Sequence, residues 1–318
     1  MNHVYTAASA DPYENLAVEE YLLDTADVPT LYLWQNDRTV VVGRHQNAWA
    51  ECDLAYLESF EGRLARRLSG GGAVYHDLGN LNFTFVMPRA LYDQARQTAV
   101  LLDAVKRCGI SAQMSGRNDL TADGRKFSGH AFCMRPQTAY HHGTLLLDTD
   151  LERMTRVLTV DASKLQSNAV ASVRARVVNL KELNPALTVP VLAESVLDAF
   201  IREYGPCEPI TVPDVSKLRE KYASWDWRYG ETPKFDAAFK TRFPWGGLEV
   251  LLTLRDAYVT DVRVFSDTLD ETLAQTLTQE LTGLPYRPDA IRQAVTREDI
   301  AAWLSGEITP TVTPETSS

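Results

Sequence analysis

Three consecutive glycines, Gly70-Gly71-Gly72, place the strongest local demand on how this chain can fold. They open backbone angles closed to other residues and let a ligand touch the main chain. Their surroundings narrow the reading. The full run is Arg66-Arg67-Leu68-Ser69-Gly70-Gly71-Gly72-Ala73-Val74-Tyr75-His76-Asp77, with two guanidinium groups, a hydroxyl and a His-Asp pair beside the glycines. Backbone N–H groups near an anion, with arginines supplying charge, point to a bound phosphate or nucleotide. Bare triple glycine is equally consistent with a flexible loop. No Lys-Ser or Lys-Thr closes a P-loop here, and Tyr75 stands where a dinucleotide fingerprint needs its last glycine.

Bulk properties bound the rest. A chain of 318 residues suits one large domain or two ordinary ones. A hydrophobic fraction of 45% supplies a core. No apolar stretch approaches the roughly 18 residues of a membrane span. The N-terminus lacks the basic and apolar regions of a signal peptide, which predicts a cytoplasmic protein. Forty-two acidic against 32 basic residues leave a net charge of −10, a poor basis for nucleic-acid binding. Cys52, Cys108, Cys133 and Cys207 form no C-x-x-C pair, so reduced, mostly buried thiols are expected.

Patterning predicts a helix over Asn15 to Asp24 and strands over 30–34 and 39–43, joined by a polar turn at Gln35-Asn36-Asp37. Leu81, Phe83, Phe85 and Met87 alternate with Asn82 and Thr84, as in a strand with one face buried. Tyr92, Ala95, Ala99, Leu102 and Val105 mark a helix that Gly109 stops. A loop is expected from Ser115 to Gly129, a strand at 144–147, and helices over 151–158 and 190–204. The expected organisation is a catalytic domain over 1–229, a linker at 230–234 and a small C-terminal domain over 235–318. That small domain reads as a hairpin (247–254, 258–264) and two helices (269–281, 290–304), with a disordered Thr/Pro/Ser tail from Glu307. There is no internal repeat.

Two more segments carry chemistry. Gly116-Arg117-Asn118-Asp119-Leu120 precedes Gly124-Arg125-Lys126-Phe127-Ser128-Gly129. Lys126 offers a mobile point charge suited to a carboxylate or an α-phosphate oxygen. Asp119 suits Mg²⁺, or else caps a turn. In His141-His142-Gly143-Thr144 the two imidazoles fall on opposite strand faces and cannot share a metal. One is expected in the core and the other in a pocket, with Gly143 allowing close ligand approach.

With these segments in hand, the chain resembles the bacterial lipoate–protein ligase A family. The matching runs are 66–80, Ser-Gly-Arg-Asn-Asp-Leu (115–120), Arg-Lys-Phe-Ser-Gly (125–129), His-His-Gly-Thr-Leu-Leu (141–146) and Ser-Val-Arg-Ala-Arg-Val-Val-Asn-Leu (172–180). Asp-Pro-Tyr-Glu-Asn-Leu-Ala-Val-Glu-Glu (11–20) and Phe-Pro-Trp-Gly-Gly-Leu-Glu (243–249) match as well. The resemblance implies an α+β fold: a large biotin/lipoate-ligase-like domain of mixed sheet with flanking helices, plus a small C-terminal α+β domain. It implies that ATP and lipoate form lipoyl-AMP, with Mg²⁺. The lipoyl group then passes to a lysine on the lipoyl domains of 2-oxoacid dehydrogenase E2 subunits or the glycine-cleavage H protein. A monomer is expected.

By the same resemblance, Lys126 matches the essential lysine. Arg67 and the backbone of Gly71, Gly72, Ala73, Val74 and Tyr75 would hold the adenylate, together with Asn80. Ser69 and His76 would lie near the acyl phosphate, and Asn118 and Asp119 near the phosphates and metal. Trp34 matches an aromatic closing the lipoyl tunnel, and reads equally as a strand core residue. His142, Gly143 and Thr144 would form pocket wall. A closed loop around 121–129 would shield the adenylate. Cys133 stands where some members carry an arginine. It opens an alternative, an octanoyl-transfer type of acyltransferase with a cysteine nucleophile. Another is a lipoyl-domain-binding relative without catalysis.

Overall fold

A computed structural model describes residues 1–46, 48–116, 118–158, 176–229, 237–255 and 258–308. Arg117, residues 172–175 of the 172–180 motif, the expected linker at 230–234 and the tail from residue 309 lie outside these described residues. The chain divides into two compact units: Met1–Arg44 with Ala48–Gly230, and His45–Asn47 with Glu231–Ser318.

The strands of the large unit are, in chain order, β1 (Asn2–Thr6), β2 (Thr30–Trp34), β3 (Thr39–Val42), β4 (Arg63–Arg66), β5 (Val74–His76), β6 (Asn80–Pro88), β7 (Gln113–Ser115), β8 (Asp119–Ala122), β9 (Arg125–Met134), β10 (Thr138–Leu146) and β11 (Cys207–Pro209). Eight form a mixed sheet in the order β11-β1-β2-β6-β10-β9-β8-β7. β1 runs parallel to β11 and β2, and the remaining pairs are antiparallel. A second sheet has the order β4-β3-β5. The expected strands at 30–34 and 39–43 thus belong to different sheets. The polar stretch between them carries the chain across, and Arg38 takes a left-handed φ of 45° there.

Helices cover both faces of the large sheet. Gln94–Arg107 and Val189–Tyr204 pack through Val100, Leu101, Ala104, Val196 and Phe200 against Phe83, Phe85 and Met87 of β6. Helix Pro12–Thr25 packs through Leu16, Val18 and Leu23 against Tyr32, Trp34, Val86 and Tyr140 on the opposite face. Its start is set by Asp11, whose carboxylate accepts the Tyr13 N–H, and by Pro12 in the first turn. β6 is therefore buried on both sides rather than one: Asn82 and Thr84 are as enclosed as their apolar neighbours. That correction matters, because the polar face of β6 becomes cavity wall.

Three other expectations change. Helix Gln94–Arg107 opens after its Asp93 cap and buries Gln97, Val100, Leu101, Ala104 and Val105, leaving Ala95 and Ala99 exposed. Tyr92 precedes the cap, so counting from it shifted the stripe. The loop expected from Ser115 to Gly129 is mostly β8 and β9, closed at Asp123-Gly124 with φ of 49° and 71°. Two consecutive positive φ values are the geometry of a tight hairpin turn, so residues 121–129 are paired strand and turn rather than an irregular loop. The strand expected at 144–147 starts earlier, at Thr138, and so contains both histidines.

The smaller unit is an antiparallel meander of β12 (Ala237–Phe243), β13 (Gly246–Arg255) and β14 (Tyr258–Ser266). Helices Leu273–Leu281, Pro288–Ala294 and Glu298–Glu307 pack on it through Leu277, Leu281, Ile291 and Leu304. The first strand was not expected, and the helix expected at 290–304 breaks near Val295. Among the described residues no helix is long and apolar enough to cross a membrane.

Candidate active site

A cavity of ≈ 160 Å³ opens in the large unit. The Gly-rich run forms one wall and the β8–β9 hairpin faces it, with β10 between. Trp34, Arg67, Gly71, Gly72, Ala73, Val74, His76, Asn118, Lys126, His142, Gly143 and Thr144 all line it. Four candidates do not. Ser69 sits one bond behind the wall, against His142. Tyr75 alternates away from Val74 and His76 into a core with Val40 and Leu64. Asn80 is buried and donates to Asn82 Oδ1 at 2.8 Å. Asp119 stands beside the lining, paired to Lys126. Leu16, Val41, Asn82, Gly129, His130 and Ala131 line the cavity in addition.

The two arginines of the run serve main-chain carbonyls. Arg67, 5% exposed, donates from Nη2 to Gly70 O (2.7 Å) and Gly72 O (2.8 Å), from Nη1 to Val41 O (3.1 Å) and from Nε to Ser69 Oγ (3.0 Å). Arg66 donates to Gly43 O, Trp227 O and Arg228 O. Burial lowers both guanidinium pKa values to about 10, which leaves both cationic at neutral pH. A buried cation must saturate its donors. Arg67 places its donors on the loop itself and stitches the glycines to β3, whereas Arg66 ties the end of β4 to Gly43, Trp227 and Arg228. Gly71 needs its left-handed φ of 88°, and its carbonyl lies where a Cβ on Gly43 would be.

Behind the cavity runs a buried polar chain that patterning did not reveal. Trp34 Nε1 donates to Thr84 Oγ1 (3.0 Å), and Thr84 donates to Glu19 Oε1 (2.7 Å). His142 Nδ1 meets the same oxygen at 2.7 Å, while its Nε2 lies 2.8 Å from Ser69 Oγ. The Glu19 carboxylate can only accept, so His142 Nδ1–H donates to it, and Ser69 Oγ, which accepts from Arg67, is held against His142 Nε2. The signal for Glu19 was its place three residues after Leu16 and four before Leu23, on the apolar helix face. A carboxylate there is tolerable only with its hydrogen bonds made. Trp34 is thus both cavity wall and a buried strand residue, stacked on Tyr32 at 5.7 Å.

The histidines divide by face. His141 turns to the core, its Nδ1 on Gln97 Oε1 at 3.0 Å, and His142 turns to the cavity. His76 is held through Asn36. Asn15 donates to Asn36 Oδ1, so Asn36 Nδ2 donates to His76 Nδ1 (3.2 Å) and the ring hydrogen sits on Nε2. Burial, with Arg67 and His142 nearby, pushes the His76 pKa down to about 3, so the ring is neutral. His76 Nε2 and Asn82 Nδ2 are both buried without a protein partner, and both residues line the cavity. They supply hydrogen-bond donors for a polar ligand group.

On the facing wall, Lys126 Nζ lies 2.8 Å from Asp119 Oδ1, with side chains 41% and 34% exposed. Asn118 Nδ2 donates to His130 O (3.0 Å), and His130 N–H returns to Asn118 O (2.9 Å). That double bond leaves Asn118 Oδ1 as its acceptor. Among the described residues no group of three His, Cys, Asp or Glu gathers as a metal site. The oxygens of Asp119 and Asn118 suit a hard cation completed by phosphate oxygens and water. Gly143 packs tightly: a Cβ there would strike Gly129 O and, at 2.8 Å, Phe83, so it serves strand contact rather than ligand approach alone. Cys133 is buried with Leu16, Tyr140 and Tyr222 and does not line the cavity.

This architecture and site define a class. Residues 11–201 match the lipoyl protein ligase A/B catalytic domain, and residues 232–312 match the bacterial lipoate protein ligase C-terminus. A lipoate-protein ligase A from Psychrobacter cryohalolentis is 37% identical over 333 residues, covering 96% of this chain and 98% of that one. The chain belongs to the lipoate–protein ligase family. Among solved structures, P. falciparum LipL1 in complex with lipoate is 28% identical, with a TM-score of 0.83 over 96% of this chain and 98% of that one. A lipoate-protein ligase A bound with ATP is 25% identical, with a TM-score of 0.63 over 72% and 98%.

Proposed function

We propose that this cavity activates lipoate with ATP and then delivers the lipoyl group to a lysine of a lipoyl domain. The observation that carries this reading is Lys126, paired to Asp119 beside it, at one wall of a cavity whose other walls include Leu16, Trp34, Val41 and Val74. An apolar acyl chain fits beside the apolar wall while its carboxylate meets the ammonium. In the first step a lipoate carboxylate oxygen bonds to the α-phosphorus of ATP, the bond to the β-phosphoryl oxygen breaks, and pyrophosphate leaves. Lys126 neutralises charge on the α-phosphoryl oxygens, and the Gly71–Val74 backbone holds the nucleotide. Asp119 and Asn118 would hold Mg²⁺, which shields the phosphates.

In the second step a neutral lysine amine attacks the acyl carbon, the bond to AMP breaks, and the amine proton passes to solvent. Positioning suffices, with no protein nucleophile. Ser69, His142 and Glu19 have the connectivity of a hydrolase triad, but Ser69 is fully buried and capped by Arg67. They hold the wall. The acceptors this chemistry suits are lipoyl domains of 2-oxoacid dehydrogenase E2 subunits and of the glycine-cleavage H protein. We place the reaction in the cytoplasm, on a monomer of this chain.

The test is pyrophosphate release with lipoate, octanoate or biotin as the acid. Release that depends on lipoate and falls with Lys126→Ala is the expected result. A wild-type chain with no lipoate-dependent release overturns the reading. Cys133→Ser is expected to retain ATP-dependent lipoylation, and loss of the transfer step in that variant would favour the thioester route.

A further inference from the structure

Lys126 reaches the cavity through an irregularity in its strand. The β8–β9 register pairs Asp119 with Gly129 and Leu120 with Ser128, then skips to Thr121 with Lys126. Phe127 is the extra residue, a β-bulge. In an unbroken ladder Lys126 would share a face with Ser128, turned away from Asp119, because strand side chains alternate. The bulge moves it onto the face of Asp119 and Gly129, while Phe127 and Ser128 are both fully buried. Bulges beside active sites re-aim side chains in this way.

Gly129 completes the arrangement. A Cβ built there would lie 3.0 Å from Lys126 Nζ and 3.1 Å from Cε. The same Cβ would be 4.0 Å from Asp119 Oδ1. The lysine therefore folds back along its own strand, across the one position that offers no side chain, and its ammonium ends beside Asp119 at the cavity wall. The backbone of Gly129 is outside the left-handed region, so conformational freedom does not account for a glycine here. The space does.

We infer that Gly129 is a positioning residue for Lys126: with the bulge at Phe127, its missing Cβ sets where the ammonium meets the acyl phosphate. The inference rests on the ligase reading above. Since misplacement by an ångström can cost about a hundredfold in rate, a modest push on Nζ should be felt in activity more than in stability.

The test is a double-mutant cycle of Gly129→Ala and Lys126→Ala, read by calorimetric binding of a lipoyl-sulfamoyl-adenosine probe and by pyrophosphate release. Gly129→Ala is expected to weaken the probe about tenfold when Lys126 is present, and less than about twofold when it is absent. Its thermal midpoint should stay within about 3 °C, because the site is a surface-side contact. Gly129→Ser, which carries the same Cβ, should repeat the cycle. Equal loss in both lysine backgrounds, or no loss in either, overturns the positioning role. A wild-type chain that does not bind the probe removes the ligase reading itself, and this inference with it.

Discussion

The cavity has two basic walls, and they use charge in opposite ways. In the Gly-rich run, Arg67 is 5% exposed and donates four hydrogen bonds to the protein, three of them to backbone carbonyls. On the hairpin, Lys126 is 41% exposed and, among the described residues, its one ion pair is with Asp119. The guanidinium became scaffold because a buried cation must saturate its donors within the fold. The ammonium stays hydrated and can exchange Asp119 for an incoming anion at little cost. An arginine next to glycines can thus serve the loop it belongs to, whereas a half-exposed lysine keeps its charge at the cavity.

The largest test of this contrast is Arg67→Ala. It strands the Gly70, Gly72 and Val41 carbonyls and should cost about 3–5 kcal/mol of stability in a urea titration, the scale for breaking a buried charged network. A variant of full stability that has lost only nucleotide binding would break the comparison. Next comes Lys126→Ala, expected to lower lipoate-dependent pyrophosphate release by about 10²- to 10³-fold, as removal of an oxyanion-type donor does. Its unfolding midpoint should barely move, since an exposed ion pair contributes about 0–1 kcal/mol.

Smaller again is Thr84→Val. It leaves Trp34 Nε1 without an acceptor and takes one donor from Glu19, for a loss of about 1–3 kcal/mol and a shifted tryptophan emission. The remaining effect is a slope with pH rather than a loss at one pH. Burial holds His76 and His130 neutral with pKa values of about 3, below the unfolded value of about 6.5. Between those values the unfolded chain binds more protons, so stability falls on acidification. His76→Asn should flatten that slope by about 1.4 kcal/mol per pH unit in denaturant titrations from pH 7 to pH 4. An unchanged slope would mean that His76 is not buried neutral.

Much of the site was legible because its residues cluster in motifs. The Gly71–Val74 segment, His76, Asn118, Lys126 and His142–Thr144 all line one cavity. Glu19 was missed because a helix pattern does not distinguish a carboxylate saturated by His142 and Thr84 from a solvated one. The 115–129 segment was misread as a loop because its polar residues belong to a short hairpin, whose two-residue turn at Asp123-Gly124 looks like general loop composition.

The amino-acid sequence by itself determined the motif set and the mixed α/β patterning, since each is a local property of composition and period. Tertiary structure alone decided what each charge does. Whether a guanidinium meets water or a carbonyl depends on residues far along the chain, as with Arg67 against Val41. Where an ammonium points depends on register, as with the bulge at Phe127 that turns Lys126 toward Asp119. Desolvation and strand alternation act on assembled faces, and no single segment carries them.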